Sequence, residues 1–334
     1  MDEVKQLVAD IKKGQIKPIY FLMGEEPYYI DKLSEFIETT VLSEAERGFN
    51  QMVLYGRDVT IDDIVAQAKR YPMMADHQVV IVKEAQDLSR TIEKLSAYAE
   101  APQPSTVLVL NYKYKKIDKR KALYKAIRKQ GVVYESNKLY DNQVVDWIRR
   151  ILAPKNYTIS PKAAQMLVEF LGTELSKINN ELEKLQIILE PGSQITPEII
   201  EENIGISKDF NNFELRKAIG NRDARKTFQI VKYFSENPKD NPMIVTVALL
   251  FNFFSQLLTY HGLLDKSPKS VASALKISPY FVNEYVTAAR NYPMKKVSVI
   301  VSHLRTFDVK SKGVNSNAVP QGDLLKELMA KILA

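Results

Sequence analysis

The sequence predicts an α/β domain followed by an all-α remainder. Three observations carry this. Short, nearly continuous Val/Ile/Leu runs punctuate the first 140 residues, helical apolar spacing fills the intervals between them, and beyond Tyr140 the runs disappear while Ser-Pro and Thr-Pro helix openings take over. A strand buried on both faces reads as an unbroken apolar run, and parallel sheets covered by helices on both sides contain such strands.

The runs are residues 19–23, 51–55, 79–82, 106–110 and 132–134. Between them, residues 61–70 and 89–99 space their apolar side chains as crossover helices do. A helix is expected over 141–152, ended by Ala153-Pro154, and Ser160-Pro161 supplies a cap and an N1 proline for the next. Another helix covers 174–189 and is stopped by Pro191-Gly192, while Thr196-Pro197 opens a short one that closes at Gly205. Longer helices follow from Asn211, broken near Gly220-Asn221, Asn237-Pro238, Ser267-Pro268, Ser278-Pro279 and Tyr292-Pro293. The polar stretch 310–317 reads as a loop. Three domains are therefore expected: 1–140 α/β, 141–207 small and helical, 208–334 helical.

The length of 334 residues favours several domains over one core, and 45% hydrophobic with 26% charged residues excludes a disordered chain. With no Cys and three scattered His (His77, His261, His303), neither a disulfide framework nor a metal cluster is expected, and a cytoplasmic location is. The N-terminus has no signal pattern, and the best membrane candidate, 244–258, carries Asn252, Ser255 and Gln256 and reads as a buried helix. A formal charge of +7 permits a polyanionic partner without demanding one.

Ligands of a doubly wound sheet sit at the carboxyl ends of its strands, so the turn after the first run is the place to look for phosphate chemistry. It reads Gly24-Glu25-Glu26-Pro27-Tyr28-Tyr29-Ile30. A P-loop needs small residues with free N–H groups, then Lys and Ser/Thr; here two carboxylates repel phosphate and Pro27 removes a donor. The third run ends at Glu84 and the fourth at Asn111, which reads either as a strand-ending turn residue or as the remnant of a nucleotide sensor. No ATP hydrolysis, catalytic residue, cofactor or metal is expected.

Two other features point to binding. Met73 and Met74 are adjacent, and neighbours on a helix lie about 100° apart, so both cannot face one core. Either one or both are exposed at a helix end, or they pack against the strand that follows. Exposed methionine suits an irregular apolar pocket on a partner. The second feature is the stretch 112–129, which carries Lys113, Lys115, Lys116, Lys119, Arg120, Lys121, Lys125, Arg128 and Lys129 against Asp118. It reads as the solvated face of an amphipathic helix or as a contact with nucleic-acid backbone, without sequence readout.

Several segments, in order, resemble the delta-subunit family of bacterial DNA polymerase III. They are Tyr71-Pro72-Met73-Met74-Ala75-Asp76-His77-Gln78 before a buried strand, Ile117-Asp118-Lys119-Arg120-Lys121 with Leu123-Tyr124-Lys125 as a basic helix, Asn180-Glu181-Leu182-Glu183-Lys184-Leu185, and Asn212-Phe213-Glu214-Leu215. The missing P-loop and Ser-Arg-Cys finger depart from AAA+ proteins in general but match this family. The resemblance implies an AAA+-like sheet domain, a helical lid and a C-terminal helical collar. It also implies a non-catalytic subunit of the polymerase holoenzyme, itself a nucleotidyltransferase, that binds and opens the sliding clamp for loading onto primed DNA in replication. The clamp-binding residues become Met73 and Met74, flanked by Tyr71 and Pro72; DNA backbone contacts fall on Lys113, Lys115, Lys116, Lys119 and Arg120. The implied partners are the beta clamp, the ATP-binding gamma/tau subunits, delta-prime and primed DNA, with no membrane. The alternatives are an unorthodox AAA+-fold ATPase using Glu84 and Asn111, or a helical scaffold.

Overall fold

Ile19–Gly24 is buried along its whole length because it is the inner strand, β1, of a five-stranded parallel sheet. The others are β2 (Gln51–Tyr55), β3 (Gln78–Lys83), β4 (Thr106–Lys113) and β5 (Val132–Ser136), in the order β2-β3-β4-β1-β5. β1 pairs with β4 on one side (Ile19 opposite Leu108) and β5 on the other (Tyr20 opposite Val132). The structure is a computed structural model and describes residues 2–313 and 319–334.

Alternation along the strands sends successive side chains to opposite faces. Ile19, Phe21, Met23, Val80, Val82, Leu108 and Leu110 form one core with Ile61, Ile64, Leu123 and Ile127. Tyr20, Leu22, Val79, Ile81, Val107 and Val109 form the other with Ile11, Ile30, Leu33 and Ile37. The covering helices are α1 (Asp2–Lys12), α2 (Tyr28–Thr40), α3 (Glu44–Asn50), α4 (Ile61–Ala68), α5 (Ser96–Glu100) and α6 (Ala122–Gln130). This is a parallel α/β sheet with a core on each face, as the unbroken runs predict. Residues 89–99, read as one crossover helix, instead form a 3-10 turn (Ile92–Leu95) and the short α5. The basic segment 117–121 precedes α6 and is not helical. Asn111 does not end its strand, since β4 runs on to Lys113.

The chain divides into two compact units, Met1–Leu139 with Glu174–Ser176, and Tyr140–Thr173 with Lys177–Ala334. The boundary expected at residue 207 lies inside the second. That unit holds α7 (Asp141–Leu152), α8 (Pro161–Leu171), α9 (Leu175–Ile188, of which Leu175 and Ser176 group with the first unit), α10 (Pro197–Ile204), α11 (Asn212–Gly220) and α12 (Ala224–Glu236). It continues with α13 (Met243–Gly262), α14 (Pro268–Leu275), α15 (Val282–Asn291), α16 (Met294–Ser311) and α17 (Gln321–Leu333). The expected caps are used: Ser160 Oγ accepts from Ala163 N–H at 3.2 Å, and Gly205 closes α10 in the left-handed region. A two-residue ladder, Thr158–Ile159 with Gln194–Ile195, interrupts the otherwise helical unit.

The apolar stretch expected as a buried helix is α13, long and apolar enough by length and composition to cross a membrane. Its Val247, Leu250, Phe253, Phe254 and Leu257 are buried in one cluster with Val297, Ile300 and Leu304 of α16 and Leu324 and Leu328 of α17. The stretch read as a loop over 310–317 begins inside α16, and residues 314–317 lie outside the described residues.

Candidate functional site

The turn after β1 is packed against the end of β5 and tied to the loop after β4. Gly24 sits at φ 136°, and a Cβ there would lie 1.9 Å from the Ser136 carbonyl oxygen, so only glycine fits. Its N–H donates to the Lys115 carbonyl (3.1 Å) and its carbonyl accepts from Tyr114 (2.7 Å), which ties the turn to the loop after β4. Glu26 is buried, and its carboxylate accepts from the N–H of Tyr28, the first residue of α2, at 3.0 Å. The position at a helix N-terminus where an anion is favoured is thus taken by the chain's own carboxylate. Burial pushes the Glu26 carboxyl up, with the Tyr28 hydrogen bond opposing.

Beside it, the carboxyl ends of β3 and β4 are joined by charge. Lys113 Nζ lies 2.8 Å from Asp31 Oδ1 of α2 and 2.8 Å from Glu84 Oε1. Gln86 donates to the other Glu84 oxygen (2.6 Å) and accepts from the Lys113 N–H (3.1 Å). Burial of the Lys113 ammonium pulls its pKa down, but the hydrogen bonds to Asp31 and Glu84 outweigh this and the net shift is upward. Burial likewise raises Glu84, yet Lys113 and Gln86 bring it below the ordinary value. Asn111 is buried within β4, and its Oδ1 has no hydrogen-bond partner among the described residues.

The other residues expected to contact DNA backbone, Lys115, Lys116, Lys119 and Arg120, gather at this same edge and are engaged within the chain. Lys115 donates to Ser89 Oγ (3.1 Å), Lys116 and Lys119 each pair with Glu135 (2.9 Å), and Arg120 forks onto Asp118 (2.7 and 3.0 Å). The Arg120 hydrogen bonds hold the Asp118 carboxyl down at about 2. Lys113 is turned inward, which removes it from a solvated face; Lys119 and Arg120 remain largely exposed.

Tyr71, Pro72, Met73 and Met74 lie at the opposite edge, because the loop from α4 to β3 runs along the amino ends of parallel strands. Met73 is 60% exposed, Met74 fully so, and Tyr71 78%; Pro72 is half-buried. The sequence placed the methionines either at a helix end or against β3; instead they lie in the bends at 73–76 of a loop, with Met74 in the left-handed region at φ 55°. Gln78 anchors one flank, donating to the Arg70 carbonyl (2.5 Å) and the Thr106 hydroxyl (2.7 Å), and Thr106 in turn donates to the Ala68 carbonyl (2.7 Å). Asn50 anchors the other, accepting from the Met73 N–H at 2.6 Å and donating to the Met73 carbonyl at 3.0 Å. Sequence reasoning missed Asn50 and its neighbour Phe49, which is 76% exposed. The readable signal was a large aromatic beside an amide, directly before the apolar run that forms β2.

The two edges together define a parallel α/β domain without a P-loop motif, whose first-strand turn places its own carboxylate at the start of α2 and whose opposite edge presents apolar tips. Residues 20–137 match the family described as DNA polymerase III, delta subunit, and residues 209–325 match its C-terminal domain. The chain belongs to the DNA polymerase III delta-subunit family. It is 28% identical over 313 residues, 90% of each chain, to the DNA polymerase III subunit delta of Bacillus subtilis strain 168. It is also similar to the solved structure of the Bacillus subtilis DNA clamp loader delta protein, with TM-score 0.56, 26% identity and 99% of both chains covered.

Proposed function

We propose that this chain binds the DNA sliding clamp through Met73 and Met74, with Tyr71 and Pro72 as flanking contacts, and holds the clamp open for loading onto primed DNA. The observation that carries the reading is the exposure of two adjacent thioether side chains on a loop whose backbone is held at both flanks. Apolar side chains held out in water gain about 1.5–3 kcal/mol each when buried in a partner's pocket. The family and its solved member, titled a clamp loader delta protein, support the choice of partner.

A binder changes a partner's conformation only by its differential affinity for the two forms. Clamp opening therefore comes from tighter binding of the open ring, with no chemistry in this chain. ATP is bound by the gamma/tau subunits, which join this chain and delta-prime through helical collar domains, here residues 208–334, with 141–207 as the lid. The exposed Lys119 and Arg120, with Lys115 and Lys116, supply weak, salt-dependent contacts to DNA backbone; Lys113, turned inward between Asp31 and Glu84, does not.

The test is a biosensor titration of the full chain against purified sliding clamp. The double variant Met73→Ala/Met74→Ala loses at least roughly a hundredfold in affinity with its circular dichroism unchanged. Wild-type affinity in that variant removes the assignment.

A further inference from the structure

We infer that Asn50 is a positioning residue for the clamp grip: its carboxamide sets the Met73–Met74 loop in its binding conformation before the partner arrives. The inference rests on the clamp-binding reading above. Asn50 closes α3, is only 5% exposed and lies 23 residues from Met73 in sequence, so it braces the loop from beneath without reaching a partner itself.

Its amide group is nearly fully used. One N–H donates to the Glu46 carbonyl (3.1 Å) and the other to the Met73 carbonyl (3.0 Å), while the oxygen accepts from the Met73 N–H (2.6 Å). The side chain therefore meets the Met73 residue as a neighbouring strand would, donor to acceptor and acceptor to donor. The next residue, Met74, stands at φ 55°, a region disfavoured for side-chain-bearing residues and kept only where the surroundings over-determine it. The Met74 side chain is fully exposed and holds nothing, so the restraint comes through the backbone. Asn50 grips on the N-terminal side, and Gln78 pins the Arg70 carbonyl and the start of β3. A loop already ordered loses less freedom on binding than one that must be ordered by its partner.

Removing the brace leaves both methionines in place but lowers the fraction of molecules with the competent loop. The apparent affinity falls by that fraction, and association slows while dissociation of the formed complex changes little. A lost direct contact acts mainly on dissociation instead.

The experiment uses the full chain with purified clamp on a biosensor and two variants. Asn50→Ala removes all three hydrogen bonds; Asn50→Asp keeps the shape and turns a carboxylate on two carbonyl oxygens. Both are expected to bind about tenfold more weakly, through slower association, with faster hydrogen exchange at the Met73 amide and unchanged protection at Val79–Val82. Unchanged affinity in Asn50→Asp, or a loss carried by dissociation with the Met73 amide still protected, overturns the inference. Asn50→Asp decides alone if Asn50→Ala does not fold. Normal binding by Met73→Ala/Met74→Ala sinks the clamp reading itself, whereas loss in that variant beside normal binding in Asn50→Asp sinks only the positioning role.

Discussion

At the carboxyl ends of its strands the sheet is stitched by charge, whereas at the amino ends it holds out apolar side chains. Glu26 caps α2, Lys113 bridges Asp31 and Glu84, and Lys116 and Lys119 share Glu135. At the other edge Tyr71, Met73, Met74 and Phe49 stand in water. The comparison teaches where binding free energy resides on a shared scaffold. A polar group already satisfied gains little from a ligand, because a new hydrogen bond only replaces an old one. An apolar side chain held exposed keeps its whole transfer free energy for a partner.

The largest effect expected from breaking this contrast comes from a charge at the apolar edge. Met74→Asp is predicted to weaken clamp binding by more than about a hundredfold, since the carboxylate enters an apolar pocket unpaired, while its fully exposed position leaves the thermal midpoint unmoved. A biosensor titration beside a melting curve checks both halves.

The mirror experiment removes a charge at the opposite edge. Lys113→Ala is predicted to cost roughly 1–2 kcal/mol in urea unfolding and to leave clamp affinity unchanged; Asp31 and Glu84 remain partly in water, which keeps the cost below that of a deeply buried pair. The cost has a pH window. Glu84 lies below its ordinary 4.5, so its contribution is complete above pH 4.5 and fades as pH falls through the lowered value. Lys113 lies above its ordinary 10.5, so its contribution is complete below pH 10.5 and fades as pH rises through the raised value. A wild-type-minus-variant difference that is flat from acid to alkali would contradict this.

Smaller effects sharpen the picture. Phe49→Ala is expected to weaken clamp binding by a few-fold to about tenfold, marking a side chain at the margin of the contact. Glu26→Gln is expected to be neutral or to stabilise slightly at pH 7, by no more than about 1 kcal/mol. Its raised carboxyl pKa means that the protonated form is the one the fold favours, and stability from that form is lost as pH rises above the ordinary 4.5. The amide oxygen still accepts from Tyr28. Chemical denaturation at pH 5 and pH 8 separates the two expectations.

Much of this was legible in the residues. Unbroken apolar runs give the strands because a doubly covered sheet leaves them no polar face, and Ser160-Pro161, Thr196-Pro197 and Ser267-Pro268 mark helix starts because cap and fixed φ are local properties. What escaped depends on distance along the chain. That Lys113 meets Asp31, and Asn50 meets Met73, follows from which strands lie side by side, and no window of neighbouring residues contains it. The adjacent methionines were readable as unable to share one core, but their place in a loop was not, since the bends at 73–76 are held by Asn50 and Gln78 from elsewhere. Lys113, Lys116 and Lys119 read in the sequence as members of one basic stretch; only the fold reveals the carboxylates of Asp31, Glu84 and Glu135 that answer them.

The strand order carries a consequence for how the chain comes into being. β1 is made early, yet it lies between β4 and β5, and Ile19 finds Leu108 only after most of the first unit has been synthesised. During translation this apolar segment must therefore wait unpaired, and pairings across such separations close slowly. The sheet of the first unit thus closes later and more slowly than the local contacts of a helical bundle of equal size would.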